Sequence, residues 1–234
     1  MPVQLFDDES LNFTVMPPAS SYTISADGTH LTLQAKPVTD WWRVPPSPSN
    51  LAGVESRTGA LFAMPVDATR DFTAGVWIRG NWGVQYDQGC LMLVTSAGVD
   101  GNWVKAGVEM EDGNEFVSAV VTSPWSDWSI EPATISTSTA ISSNAGAIYI
   151  QMTREGPLLT IKRYLSASGP SDSPPAATDL AKYREVRAFD LDETGKPEAR
   201  SKQGDMWRIG CMVCGPKNES GTVAEFSGFS LDYL

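Results

Sequence analysis

Between Phe72 and Arg79 every second residue is apolar on one side, with Phe72, Ala74, Val76 and Ile78 facing one way and Trp77 and Arg79 the other. The same period of two returns in short runs along most of the chain, separated by clusters of Gly, Pro, Asn and Asp, while almost no stretch holds the 3.6 period of a helix. That pattern predicts an all-β protein. Candidate strands cover 22–25, 31–35, 71–79, 88–95, 103–110, 115–122, 147–155, 158–164, 207–214 and 225–231. Asp112-Gly113 and Glu155-Gly156-Pro157 separate pairs of these runs and read as hairpin turns. About ten to twelve strands without a fixed repeat favour a two-sheet antiparallel β-sandwich over a propeller or solenoid. Few or no helices are expected, with one short helix over 178–187 as the single candidate.

At 234 residues the chain falls where a sandwich runs as one domain, so 1–234 is read as a single unit. Two irregular stretches interrupt it, Val44 to Thr58 with its prolines and Ser166 to Lys182, and each reads either as a binding loop or as a solvated insertion. The net charge of -11 argues against nucleic acid and against anionic membrane surfaces. No run approaches the roughly 18 apolar residues of a membrane span, and the acidic start at Asp7, Asp8 and Glu9 is unlike a secretory signal. A cytoplasmic location is the expectation, and the sequons at Asn12 and Asn218 then carry no weight.

Cys90, Cys211 and Cys214 are too few for a disulfide framework. The last two form a C-x-x-C string inside a strand, where positions three apart face opposite sides, so a shared metal or redox role is not expected. His30 is the one histidine, placed at a strand start after an Asp27-Gly28 turn, and its solitude excludes a histidine triad or multi-histidine metal site. No phosphate loop is visible, so no cofactor and no metal site is assigned, although loop carboxylates leave calcium open.

The functional expectation rests on the outward row of one strand. In 102–110, Val104, Ala106, Val108 and Met110 face the core, leaving Trp103, Lys105, Gly107 and Glu109 together on the other side. Along 86–93, Leu91 and Leu93 point inward while Tyr86, Gln88, Cys90 and Met92 point outward. Asp127 and Trp128 add an acid beside an indole, and Trp77 and Trp125 stand on further non-core positions. Indole plates stack on the apolar faces of sugar rings while carboxylates, amides and ammonium groups bond hydroxyls, which suits a carbohydrate or other polyhydroxylated ligand. The alternative for each indole is that it caps the core at a sheet edge.

The strings Thr39-Asp40-Trp41-Trp42-Arg43, Tyr86-Asp87-Gln88-Gly89-Cys90-Leu91-Met92, Trp103-Val104-Lys105-Ala106-Gly107-Val108-Glu109 and Val120-Val121-Thr122 followed by Ser126-Asp127-Trp128-Ser129 resemble domain of unknown function 1349, a family that includes fungal regulation-of-enolase type proteins. Thr153-Arg154-Glu155-Gly156 and Phe226-Ser227-Gly228-Phe229 add weaker agreement, and Cys90 stands where a glycine is usual. The resemblance implies a concanavalin A-like lectin/glucanase jelly roll and no particular activity. The ligand set expected on its concave, aromatic-lined face is Trp42, Arg43, Trp77, Tyr86, Gln88, Trp103, Lys105, Glu109 and Trp128.

Three functions are weighed. A binding module predicts an open groove. An enzyme, whether hydrolase, lyase or isomerase, would use Glu109 and Asp127 with Lys105 for acid/base chemistry, a glycosidase needing its carboxylates about 5–5.5 Å or about 6.5–9.5 Å apart. An ion pair between Lys105 and Glu109 across Gly107 would depress that acid and weaken the enzyme reading. A protein-interaction regulator of metabolism predicts an exposed apolar patch. Binding of a small molecule ranks first, and the oligomeric state is left open.

Overall fold

The structure is a computed structural model, and it describes residues 2–18, 20–95, 101–136, 139–140, 146–176, 179, 184–190 and 206–234. Two seven-stranded antiparallel sheets dominate it. Across the first, the order is β1 (Thr14–Met16), β6 (Ala60–Asp67), β17 (Met206–Cys214), β8 (Gln88–Val94), β9 (Trp103–Glu111), β10 (Asn114–Thr122) and β11 (Ser126–Pro132). Across the second it is β16 (Arg184–Asp190), β15 (Leu158–Ser166), β14 (Ala147–Glu155), β7 (Phe72–Gly80), β18 (Val223–Tyr233), β3 (His30–Gln34) and β2 (Ser21–Ile24). Two ribbons complete the set, β4 (Trp41–Val44) with β5 (Val54–Arg57), and β12 (Thr134–Ser136) with β13 (Thr139–Ala140). The 3-10 turn Glu9–Leu11 lies near the start of the chain.

The sandwich is held by the inward half of each alternating strand. Val76 and Ile78 of β7, Leu91 and Leu93 of β8, Val104 and Val108 of β9, and Ile148 and Ile150 of β14 join Phe72, Phe226 and Phe229 in one buried cluster. Fully burying side chains of this size stabilises by about 1.5–3 kcal/mol each, so this layer carries the fold. The hairpins form where Asp112-Gly113 and Gly156 stand, and the positive φ of Asp112 (48°) and Gly113 (73°) gives the β9–β10 turn the handedness that two-residue hairpins need.

All ten expected strands are present to within a residue or two at their ends, and the structure adds others. β6 escapes a period-two reading because it is apolar on both sides, with Phe62, Met64 and Val66 in the inter-sheet core and Leu61 and Ala63 against the outer face. It also carries Pro65. β1 pairs only with Leu61, Phe62 and Ala63, so Pro65 has a strand neighbour on one side, where a residue without N–H fits a sheet. The helix expected over 178–187 is corrected at its C-terminal end: Arg184 to Arg187 lie in β16, paired with β15, so sheet pairing overrides local propensity there, while Asp179 lies in a 3-10 turn. Residues 178 and 180–183 lie outside the described residues.

Neither irregular stretch is a bare loop. The residues 44–58 supply β5, which folds back on β4 and lays the ribbon against the outer face of the first sheet. The stretch after Ser166 crosses the outer face of the second sheet, where the Ser173 carbonyl accepts from Trp77 Nε1 at 2.8 Å and the Ser171 carbonyl from Ser227 Oγ at 2.9 Å. Its end, 177–178 and 180–182, lies outside the described residues.

Candidate functional site

The outer face of the first sheet is a lattice whose rows the register defines. One row runs Met92, Lys105, Val120, Trp128; the next Cys90, Gly107, Ser118; the third Gln88, Glu109, Phe116. The middle row is thin by necessity. A Cβ on Gly107 would lie 1.9 Å from the Gly89 carbonyl oxygen, so β9 passes too close to β8 there for any side chain. Lys105 and Glu109 therefore stand on either side of a gap.

Above this lattice the β4–β5 ribbon forms a roof. Trp41 packs edge-on against Trp103 at 5.4 Å between centroids and donates from Nε1 to the Gly59 carbonyl at 3.0 Å. Arg43 pairs with Glu55, donates to the carbonyls of Gly101 and Pro124, and lies 4.8 Å from the Trp103 ring centroid; Arg57 lies 5.0 Å from that ring. The Arg43 backbone N–H donates to Ser126 Oγ at 2.9 Å, tying the ribbon to β11. Trp103 is thus fully buried, with two guanidinium groups against its ring.

The other wall is made by two loops that Asp87 joins. Its buried carboxylate accepts from the backbone N–H groups of Gly83 and Val84 and from Asn218 Nδ2 and Thr222 Oγ1, the last at 2.6 Å. That network holds Tyr86, at a φ of 69°, beside Lys217, whose Nζ lies 4.7 Å from the Tyr86 ring centroid.

Between roof, lattice and loops lies a pocket of about 400 Å³, lined by Asp40, Trp42, Tyr86, Gln88, Lys105, Glu109, Val120, Trp128, Pro216 and Lys217. Its polar groups are unevenly satisfied. Glu109 accepts from Trp128 Nε1 at 3.0 Å and from Gln88 Nε2 at 3.4 Å. Lys105, with 3% of its side chain exposed, has a single ion-pair partner among the described residues, Asp40 at 3.7 Å, and no hydrogen bond. An ammonium has three donors, so most of its bonding capacity points into the pocket unfilled.

Burial raises the Glu109 pKa above the ordinary carboxylate value, against the pull of Lys105 and of the bonds from Ser118 and Trp128. Burial works against the Lys105 ammonium, and Cys214, Asp40, Glu109 and Cys90 around it outweigh that, so its pKa ends above the ordinary value. Burial pushes the Cys90 thiol up to about 12 and the Cys214 thiol well above the usual range, so the thiols are poor counter-charges, and Asp40 is the acid within ion-pair distance of the lysine.

Of the expected residues, Trp42, Tyr86, Gln88, Lys105, Glu109 and Trp128 come together here. Four do not. Trp103 shares the sheet face but lies under the ribbon, and Arg43 is consumed by Glu55 and backbone carbonyls. Trp77 does face away from the core, but on the second sheet, where it packs on Tyr149 and is covered by the strap at Ser173. Asp127 follows the alternation of β11, so when Trp128 points into the pocket it points out, and it pairs with Arg187 with 69% of its side chain exposed. The lysine also pairs with Asp40 rather than with Glu109 across Gly107.

The acid that shares the pocket with Glu109 is therefore Asp40, which sequence reading missed along with Val120, Pro216 and Lys217. Val120 lay in a strand already drawn, on the Lys105 row, and register alone would have found it. Lys217 follows a strand end and gives no periodic signal. Cys211 and Cys214 do face opposite sides, one in the inter-sheet core and one under the ribbon. His30 opens β3 at the surface, beside Asp172. No group of three or more His, Cys, Asp or Glu that could hold a metal occurs among the described residues, and no described helix is long and apolar enough to cross a membrane.

Comparison with solved structures supports the architecture. A crystal structure of a functionally unknown protein from Saccharomyces cerevisiae superposes with a TM-score of 0.66 at 24% identity, over 95% of this chain and 96% of that one. An alginate lyase from Pseudomonas aeruginosa reaches a TM-score of 0.50 at 13% identity, over 91% of this chain and 86% of that one. At such identities the likeness shows a shared jelly-roll sandwich and nothing of the chemistry. In sequence, Regulation of enolase protein 1 of Saccharomyces cerevisiae is 30% identical over 202 residues, 86% of this chain and 80% of that protein. An uncharacterized protein of Emericella nidulans is 34% identical over 103 residues, 43% of this chain and 48% of that protein. The family described as Protein of unknown function (DUF1349) matches residues 16–233, nearly the whole span in which the roof, the lattice and the two loops are built, and the chain belongs to that family.

Proposed function

We propose that the protein binds a carbohydrate or other polyhydroxylated small molecule in the pocket beneath the β4–β5 ribbon. The observation that carries this reading is the buried Lys105 ammonium, which faces the pocket without a hydrogen bond, among the rings of Trp42, Tyr86 and Trp128. Ring faces offer stacking to the apolar side of a sugar. Gln88, Asp40 and Glu109 offer acceptors and a donor to its hydroxyls. The volume lies within the range of about 300–1,000 Å³ usual for small-molecule sites.

A thermal-shift screen against a glycan and metabolite panel, run on the wild type and on Trp128→Ala, tests it. A ligand at a hundred times its Kd is expected to raise the midpoint by roughly 5–10 °C for a chain of this size. A shift seen in the wild type and absent in the variant supports the reading. A shift of equal size in both places the ligand elsewhere and sinks it.

A second reading, acid/base catalysis, is favoured by one specific observation: Glu109 is buried and holds its proton to higher pH than a free carboxylate. Its partner acid would then be Asp40. Incubating a confirmed ligand with the protein and following product by mass spectrometry separates the readings, since a binding module returns the ligand unchanged.

A further inference from the structure

Two lysines approach this pocket from opposite sides. Lys105 rises from the lattice, buried and short of acceptors, and Lys217 hangs at the mouth over Tyr86 with no ion pair among the described residues. Against them stand Asp40 and Glu109. In a chain of net charge -11, paired cations at one cavity are not a sample of the general surface.

Resting on the proposed binding function, we propose that the ligand is a sugar acid, its carboxylate set against Lys105 with Lys217 closing from the rim, and its hydroxyls met by Gln88, Asp40 and Glu109. The ammonium supplies the charge-assisted donors that a carboxylate takes and a neutral hydroxyl uses less well. Charge balance limits the anion to a single charge. Asp40, 3.7 Å from Lys105, already answers part of the charge the two lysines bring, so the site suits one carboxylate better than a more highly charged anion. A phosphate dianion would set a second negative charge beside Asp40 and Glu109. The aromatic walls in turn call for a ring rather than a small inorganic anion.

The test is calorimetric titration with matched pairs: D-glucuronate against D-glucose, D-galacturonate against D-galactose, and glucose 6-phosphate as the phosphate arm. The expected result is that at least one acid binds about tenfold or more tightly than its neutral partner and than the sugar phosphate. That margin should shrink in Lys217→Ala, a surface change that spares the fold, and vanish in Lys105→Met. Should Lys105→Met fail to fold, Lys217→Ala decides alone. Neutral sugars binding as tightly as their acids would overturn the sugar-acid inference and leave the sugar site standing. Tighter binding of glucose 6-phosphate, or a margin unchanged in the variants, would also overturn it. No binding by any of the five probes would count against both this inference and the reading beneath it.

Discussion

The Lys105 ammonium stands 3.7 Å from the Asp40 carboxylate, across the space between β9 and the residue that leads into β4. The ion pair therefore joins the lattice to its roof instead of two positions of one strand. Asp40 also accepts from the Trp41 backbone N–H at 2.7 Å, a bond that asparagine can keep. Asp40→Asn should remove the charge alone and leave a buried cation less well matched. Because Asp40 keeps a quarter of its side chain in solvent, the expected loss is moderate, about 1–3 kcal/mol rather than the larger cost of stranding a fully enclosed charge. Urea unfolding at neutral pH measures it, and an unchanged midpoint would mean that the pair adds nothing to stability.

Glu109 makes stability depend on pH in a direction opposite to most acids. Its folded pKa lies above the ordinary value of 4.5, so the folded chain keeps a proton that the unfolded chain has released. The associated stability is complete below the unfolded value and is lost as pH rises through the folded one. Glu109→Gln removes that dependence. The melting temperature of the wild type relative to the variant should therefore fall as pH rises above about 4.5. A difference that stays flat across the range would show that Glu109 ionises as a free carboxylate does.

Two tryptophans of the same region should part company on mutation. Trp103→Ala empties a fully buried site and removes the ring that Arg43 and Arg57 pack on, at an expected cost of about 3–5 kcal/mol. Trp42→Ala, at a half-buried pocket wall, should leave the denaturation midpoint within about 1 kcal/mol of wild type and weaken ligand binding instead. Denaturation and titration of both variants read the two effects separately, and the reverse pattern would exchange their roles.

The three thiols should be silent in the native protein. All are free and buried, and burial raises Cys90 to about 12 and the other two well above their usual value. At about pH 8 almost no thiolate is present to attack a disulfide reagent. Ellman titration should count none before denaturation and all three after it. Rapid labelling of one thiol in the folded state would reveal an opening of the ribbon over Cys90 and Cys214.

How much of this was legible in the sequence follows from what alternation can carry. A strand with one polar side announces both its existence and its facing, which is why the Lys105–Glu109 row and its Gln88 neighbour were readable. A strand buried on both sides, such as β6, has no such contrast. Facing, moreover, is not location. The pattern faces Trp77 and Trp103 away from the inter-sheet core, and both do face away from it, yet each is buried in a smaller cluster, one on the far sheet and the other under a ribbon that no periodicity foretells. Asp127 and Trp128 are neighbours only in sequence, since adjacency on a strand sends two side chains to opposite sides. Asp40 and Lys217 reach the pocket through long-range folding, where sequence distance is no guide.

The pocket wall draws on Trp42, Tyr86, Lys105, Trp128 and Lys217, so nearly the full length of chain must be in place before it has any shape. Such a site depends on closing long stretches of chain and belongs to the late, non-local part of folding. No fragment that stops short of Asp40 or Lys217 can inherit its full lining. Ligand binding by this protein would accordingly serve as an assay of complete folding, and a truncated version that still expressed well would be expected to bind nothing.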